Sequence, residues 1–116
     1  MYNYVEVEAE SLEFITVASV DELGNGERLI VDIDGEAIAI FNIAGDYYAI
    51  SDVCSHDDGP VAEGELHDFE LECPRHGARF DLRSGTALTL PAVVDIPAYP
   101  IRVQGDDIQI GLPVEA

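Results

Sequence analysis

Turns constrain this chain more than any other feature. Asp34-Gly35, Ala44-Gly45-Asp46, His67-Asp68, Arg83-Ser84-Gly85 and Gly105-Asp106 break it into short runs. Gly and Asp suit tight reversals because they accept the left-handed backbone that most residues avoid. The runs between them are strand-length, and no segment sustains an apolar helical period beyond about two turns. The expected fold is therefore nearly all β, in one domain spanning residues 1–116.

Phe14–Ala18 ("FITVA") reads as a strand, followed by a single helical turn over Ser19–Leu23 with Ser and Asp as caps. "RLIVDI" alternates Leu29, Val31 and Ile33 on one face. "EAIAIFNI" runs back, and Tyr47–Ser51 ("YYAIS") completes a three-strand meander. Next comes a small hairpin: "GEL", a turn at His67-Asp68, then "FELEC", with Phe69, Leu71 and Cys73 expected on one side and Glu70 and Glu72 on the other. "ARFDL" is another strand. Beyond a proline-punctuated loop from Pro91 to Pro100, "IRVQGDDIQI" predicts a last hairpin. Residues 1–12 read as an acidic N-terminal extension, with an edge strand as the alternative.

Hydrophobic residues make up 47% of the 116, enough for a packed core, and no apolar run is long enough to span a membrane. Charge is one-sided: 24 Asp plus Glu against five Arg and no Lys, a formal net charge of −19. That field repels phosphates, which argues against nucleic acid and anionic lipid as partners. It suits steering toward a basic face of a protein partner; solubility or adaptation to a salty cytoplasm explains it equally well. The first ten residues, "MYNYVEVEAE", are acidic where a secretory signal is basic. The expected compartment is the cytoplasm, where thiols stay reduced or hold a metal.

Both cysteines and all three histidines fall within residues 54–77. Cys54-Ser55-His56 and Cys73-Pro74-Arg75-His76 each pair a thiolate with an imidazole across a tight loop. Together they form an S2N2 donor set of the kind that holds zinc or an iron–sulfur cluster. A Cys54–Cys73 disulfide would leave both histidines unexplained. A catalytic Cys–His pair would use half the set and lacks a third, orienting group. His67, at the hairpin turn, reads as a solvated turn residue rather than a ligand.

C-x-H with C-x-x-H resembles the Rieske [2Fe–2S] signature. "CSHDDGPVAEGEL", "LECPRHGARFDLRSG" and "LPAVVDIPAYPIRV" are similar to the two cluster loops and the proline loop of small soluble Rieske ferredoxins. The resemblance implies an antiparallel β-sandwich base with a smaller cluster-binding subdomain inserted at about residues 52–85. It implies that Cys54 and Cys73 ligate one iron and His56 and His76 the other. It further implies an electron carrier rather than an enzyme: a monomer that takes electrons from a flavin reductase and passes them to the terminal oxygenase of an aromatic-ring dioxygenase system. Terminal oxygenases need a second His/carboxylate set for a mononuclear iron, and only His67 is spare. A nitrite-reductase-associated subunit, a ferredoxin for iron–sulfur assembly and a structural zinc module are the alternatives.

The departures from high-potential relatives also carry expectations. Gly59 and Arg75 stand where those relatives carry a bracing disulfide, and Ala78 and Phe80 where they present Ser and Tyr hydroxyls to the cluster sulfurs. With those donors missing, the potential is expected near the low end of the Rieske range. Gly59 and Gly77 are expected to allow close backbone approach, and Gly64 reads as an ordinary turn residue. Pro91, with Leu90 and Ala92, resembles the loop that shields the cluster. Arg75, Arg79 and Arg83 suggest a less negative tip that docks an acidic patch, with local salt bridges to Glu70, Glu72 or Asp81 as the alternative.

Overall fold

The computed structural model describes residues 12–33, 35–53, 61–74, 77–89 and 95–113. Ten strands follow in order: β1 (Leu12–Ser19), β2 (Arg28–Ile33), β3 (Glu36–Ile43), β4 (Asp46–Ser51), β5 (Glu65–His67), β6 (Glu70–Glu72), β7 (Arg79–Asp81), β8 (Ala98–Tyr99), β9 (Ile101–Gln104) and β10 (Asp107–Pro113). One 3-10 turn, Val20–Glu22, follows β1. Its entry is held by Glu22, whose Oε1 accepts from the Ser19 N–H at 3.1 Å and from the Ser19 hydroxyl at 3.2 Å. Among the described residues there is no α-helix, as the turn spacing requires.

Three antiparallel sheets result, with orders β1-β10-β9, β2-β3-β4-β8 and β5-β6-β7. The meander forms as its turns dictate. β3 and β4 pair with Ile43 opposite Asp46, so the loop is Ala44-Gly45 alone and Asp46 already belongs to the strand. Both loop residues have positive φ, 55° and 91°, the geometry that matches strand twist in a two-residue hairpin. Ala44 tolerates it because the Asn25 Oδ1 accepts its N–H at 2.8 Å, while the Asn42 Oδ1 accepts that of Gly45 at 2.9 Å. Two-residue connections also join Ile33 to Glu36, His67 to Glu70 and Gln104 to Asp107; Asp34 lies outside the described residues.

The pairing of β1 with β10, from Leu12 opposite Pro113 to Ser19 opposite Asp107, closes the base. This sheet and the four-stranded one enclose Ile38, Ile40, Ala49, Tyr99, Ile108 and Ile110, with Leu29, Val31 and Ile33 packed against them. A second buried cluster lies on the opposite faces of β3 and β4: Ala39, Phe41 and Ile50 meet Leu71, Phe80, Leu82, Ile96 and Ala98. Successive side chains of a strand point to opposite faces, so β3 feeds both clusters and is buried from Ile38 through Asn42.

β5, β6 and β7 are three residues each, too short for an independent sheet. They persist because Leu71 and Phe80, both fully buried, fill the second cluster, at about 1.5–3 kcal/mol per side chain. The β5–β6 turn differs by one residue from the sequence expectation. His67 pairs with Glu70, so the turn is Asp68-Phe69 and His67 is a strand residue. Asp68 takes the left-handed position at φ 58°, which Asp tolerates better than His. Phe69 thereby leaves the face it was expected to share with Leu71 and Cys73. Its ring meets Tyr48 edge-on at 5.6 Å, with the Arg83 guanidinium 4.7 Å from its centroid.

Candidate metal centre

The described flanks of the two segments that carry the expected ligands lie at the second buried cluster. The first segment, residues 54–60 with Cys54, His56 and Gly59, lies outside the described residues. Its flanks are tightly held. The Asp52 N–H donates to the Ala37 carbonyl at 2.9 Å, fixing the exit from β4. The Asp52 Oδ1 then accepts both the Val61 N–H at 2.8 Å and the Ala62 N–H at 2.7 Å. Gly64 N–H to Val61 carbonyl, 3.0 Å, makes a turn of 61–64. Arg28 on β2 donates from Nη1 to the carbonyls of Ala62 and Gly64, both at 2.6 Å, while its guanidinium lies 5.3 Å from the Phe41 ring centroid.

The second loop joins β6 to β7. Cys73 follows directly on β6 and is a buried free thiol, 1% exposed. Its N–H donates to the Ala78 carbonyl at 2.7 Å and its carbonyl accepts the Gly77 N–H at 3.0 Å, so the chain reverses within five residues. Gly77 closes the reversal at φ +75°, and among the described residues nothing lies within 4 Å of where a Cβ would stand. Arg75 and His76 lie outside the described residues. Val61, Ala62, Cys73 and Ala78 are buried in one cluster, with Val53 packed against it. The bases of the two loops therefore meet.

Gly64 is more than a turn residue. A Cβ there would run into the backbone carbonyl of Glu72, the residue before Cys73. The close approach comes from the β5–β6 pairing, in which Glu65 opposes Glu72. Gly85 is constrained in the same way by the Ile96 carbonyl, and its own carbonyl accepts the Ile96 N–H at 2.8 Å. With the Ala87 N–H donated to Asp95 Oδ1 at 2.8 Å, this contact brackets residues 90–94. Leu90, Pro91 and Ala92 lie outside the described residues.

On the outer face of the small sheet the charges satisfy one another. Arg79 meets Glu70 at 3.6 Å and Glu72 at 3.3 Å. Arg83 makes two side-chain hydrogen bonds to Asp81, at 3.0 and 2.9 Å. These bonds hold the Asp81 carboxyl below the usual carboxylate range against the opposing effect of burial. Arg79 and Arg83 thus take the local salt-bridge alternative rather than forming a free cationic tip. His67 is likewise not simply solvated: its Nε2 lies 3.1 Å from Glu72 Oε1 and 4.0 Å from Glu65 Oε2.

Comparison with known proteins decides the family. Residues 13–100 match the model of the Rieske [2Fe–2S] domain. The chain belongs to the Rieske [2Fe–2S] family. This Rieske chain is 44% identical over 100 residues to the ferredoxin subunit of 3-phenylpropionate/cinnamic acid dioxygenase from Escherichia coli K12, covering 85% of this chain and 93% of that one. The ferredoxin of carbazole 1,9a-dioxygenase from Nocardioides aromaticivorans IC177 superposes with a TM-score of 0.78 at 35% identity, over 84% of this chain and 95% of that one. The fold also recurs in the complex of reduced oxygenase and oxidized ferredoxin in carbazole 1,9a-dioxygenase: TM-score 0.77, 23% identity, 84% and 91% coverage.

The residues present fit a [2Fe–2S] group. Cys73 offers a buried free thiol at a hairpin end whose backbone is already satisfied, and the flanks of the first loop are drawn to the same cluster. Ala78 and Phe80, both fully buried, line that cluster without a hydroxyl. Sequence reading overlooked Arg28 and Asp52. An Arg in a strand of so acidic a chain and an Asp two residues before a ligand pair are visible there, but their bonding partners, up to 36 residues away, are not.

Proposed function

We propose that this protein is a one-electron carrier. In this reading Cys54 and Cys73 hold one iron of a [2Fe–2S] cluster and His56 and His76 the other, within a single domain. The donor is a flavin reductase, and the acceptor is the terminal oxygenase of a ring-hydroxylating dioxygenase. The observation that carries the reading is the meeting of both loop bases in one buried cluster around Cys73, in a chain close to a dioxygenase ferredoxin subunit. A ferredoxin-like neighbour seen with its oxygenase supports the choice of acceptor.

When bound, a Rieske cluster supplies a one-electron redox centre at roughly −150 to +300 mV, because two neutral imidazoles replace two thiolates. The chain's own residues set the surroundings. Leu71, Ala78 and Phe80, all fully buried, pack in one cluster with Cys73, and Phe80 presents a ring where a Tyr hydroxyl would add a donor, which favours the low end of that range. The negative surface favours a basic face on the partners. The reading places the carrier in the cytoplasm as a monomer; no helix among the described residues is long and apolar enough to cross a membrane.

One purified sample tests the proposal. Two iron and two labile sulfide per chain, with a paramagnetic spectrum on reduction, are expected, together with electron transfer from a flavin reductase to an aromatic-ring oxygenase. Colourless protein that binds zinc and no sulfide after anaerobic reconstitution would refute it.

A further inference from the structure

The geometry points to Asp52 as the positioning residue of the first ligand loop, acting with Arg28 as a clasp that shapes the loop before any cluster is bound. The inference rests on the carrier reading, because it takes residues 54–60 to hold two of the four ligands. Asp52 stands at the loop's entrance, yet its carboxylate oxygen accepts the amides of Val61 and Ala62 at the loop's exit. One side chain thereby joins residue 52 to residues 61 and 62 and shuts the neck of the loop. Its own amide is tied to Ala37 on β3, so the neck is referred to the base sheet rather than to the loop.

Arg28 completes the arrangement from the other side. Its two donated bonds take up the carbonyls of Ala62 and Gly64, while Asp52 takes up the amides of Val61 and Ala62. Ala62, fully buried, thus has its amide held by one side chain and its carbonyl by another. Buried backbone groups left unpaired are costly, so a single position of this turn is strongly preferred. Because Gly64 touches the Glu72 carbonyl, that position also registers the first loop against Cys73. Neither residue needs to touch the cluster. Both act through the backbone that presents its ligands.

The test uses the full-length, cluster-loaded chain and its metal-free form, with backbone amide hydrogen exchange and the rate of iron loss to a chelator as readouts. Asp52→Asn keeps an oxygen acceptor and is expected to leave Val61 and Ala62 protection within about threefold of wild type. Asp52→Ala is expected to speed their exchange about tenfold or more, the loss of one charge-assisted hydrogen bond or more, and to speed iron loss similarly. Exchange at Ile108 and Ile110 in the base should stay unchanged. Arg28→Met, which keeps the stem over Phe41 but donates nothing, provides a second route and should speed exchange at Gly64 together with iron loss. The same protection of Val61 and Ala62 is expected in the metal-free wild type. Equal exchange and equal iron loss in Asp52→Ala, Arg28→Met and wild type would overturn the clasp. Wild type that binds no iron at all would instead overturn the carrier reading, whatever the exchange data show.

Discussion

Replacing Gly64 by Ala should be among the costliest single-methyl additions this chain can suffer. The obstructing atom is the carbonyl oxygen of Glu72, with the Glu72 carbonyl carbon at 2.9 Å and the Val61 carbonyl oxygen at 3.1 Å from the added Cβ. All three are backbone, so no rotamer change relieves the contact and the β5–β6 pair itself must open. Overpacking costs about 1–3 kcal/mol, and a backbone obstacle belongs at the top of that range. For a chain of this size 3 kcal/mol lowers the melting temperature by roughly 12 °C. Two internal controls separate collision from conformation. Gly77→Ala meets nothing within 4 Å among the described residues but must hold φ +75°, at about 1–2 kcal/mol, or roughly 4–8 °C. Gly24→Ala meets only the exposed Glu27 carboxylate, at 2.7 Å, which can swing away, and should cost less than about 0.5 kcal/mol. Thermal unfolding of the three cluster-loaded variants should rank them Gly64, Gly77, Gly24. A Gly64→Ala protein melting within about 2 °C of wild type would refute the close-approach argument.

Asp81 gives a pH signature. Its folded carboxyl titrates below the unfolded one because of Arg83, so its contribution is complete above the unfolded value and disappears as pH falls through the folded one; urea melts should show the gap between wild type and Asp81→Asn closing below about pH 4. Leu71→Ala, at a fully buried site, should lose about 2–5 kcal/mol in the same melts; a loss under about 1 kcal/mol would contradict the packing of the small sheet. Voltammetry of the loaded protein should place its midpoint near about −150 mV, and Phe80→Tyr should raise it if the new hydroxyl reaches a sulfur; a wild-type value above about +100 mV would show that hydroxyl donors are not what sets the range. Reduction by a basic-faced reductase should slow as salt rises, since a net charge of −19 steers encounter; a rate indifferent to salt would count against steering.

Turn chemistry made the fold legible because it is local. Gly35, Ala44, Gly45 and Gly105 take positive φ at three hairpin connections between the expected strands; the expected Ala44-Gly45-Asp46 turn is one residue shorter, with Asp46 in the strand. His67-Asp68 was misplaced by one residue for the same local reason: the left-handed position goes to Asp68, and tertiary packing of Phe69 against Tyr48 and Arg83 pays for the shift. The pairing of β1 with β10 joins residues about a hundred positions apart, and neither strand announces its partner. Gly64 shows the same limit at one atom's scale. Its identity is visible in sequence, but the reason for it is the Glu72 carbonyl, which only the folded β5–β6 register brings near.

The proposed donor set stands out in the sequence for a different reason: soft side chains are rare in this chain, so two matched Cys/His spacings show against 24 carboxylates. What supports them does not stand out, because it is built from common residues. Asp52 is one acid among many, and Arg28 one of five arginines, yet they grip the same turn from opposite sides. Arg79 and Arg83 are set against neighbouring carboxylates on the small sheet, whereas Arg28 reaches from the base sheet to the backbone carbonyls of Ala62 and Gly64 and lies over the Phe41 ring. Under the carrier reading these bonds join the base sheet to the flank of residues 54–60, and it is there that substitutions should separate cluster retention from folding.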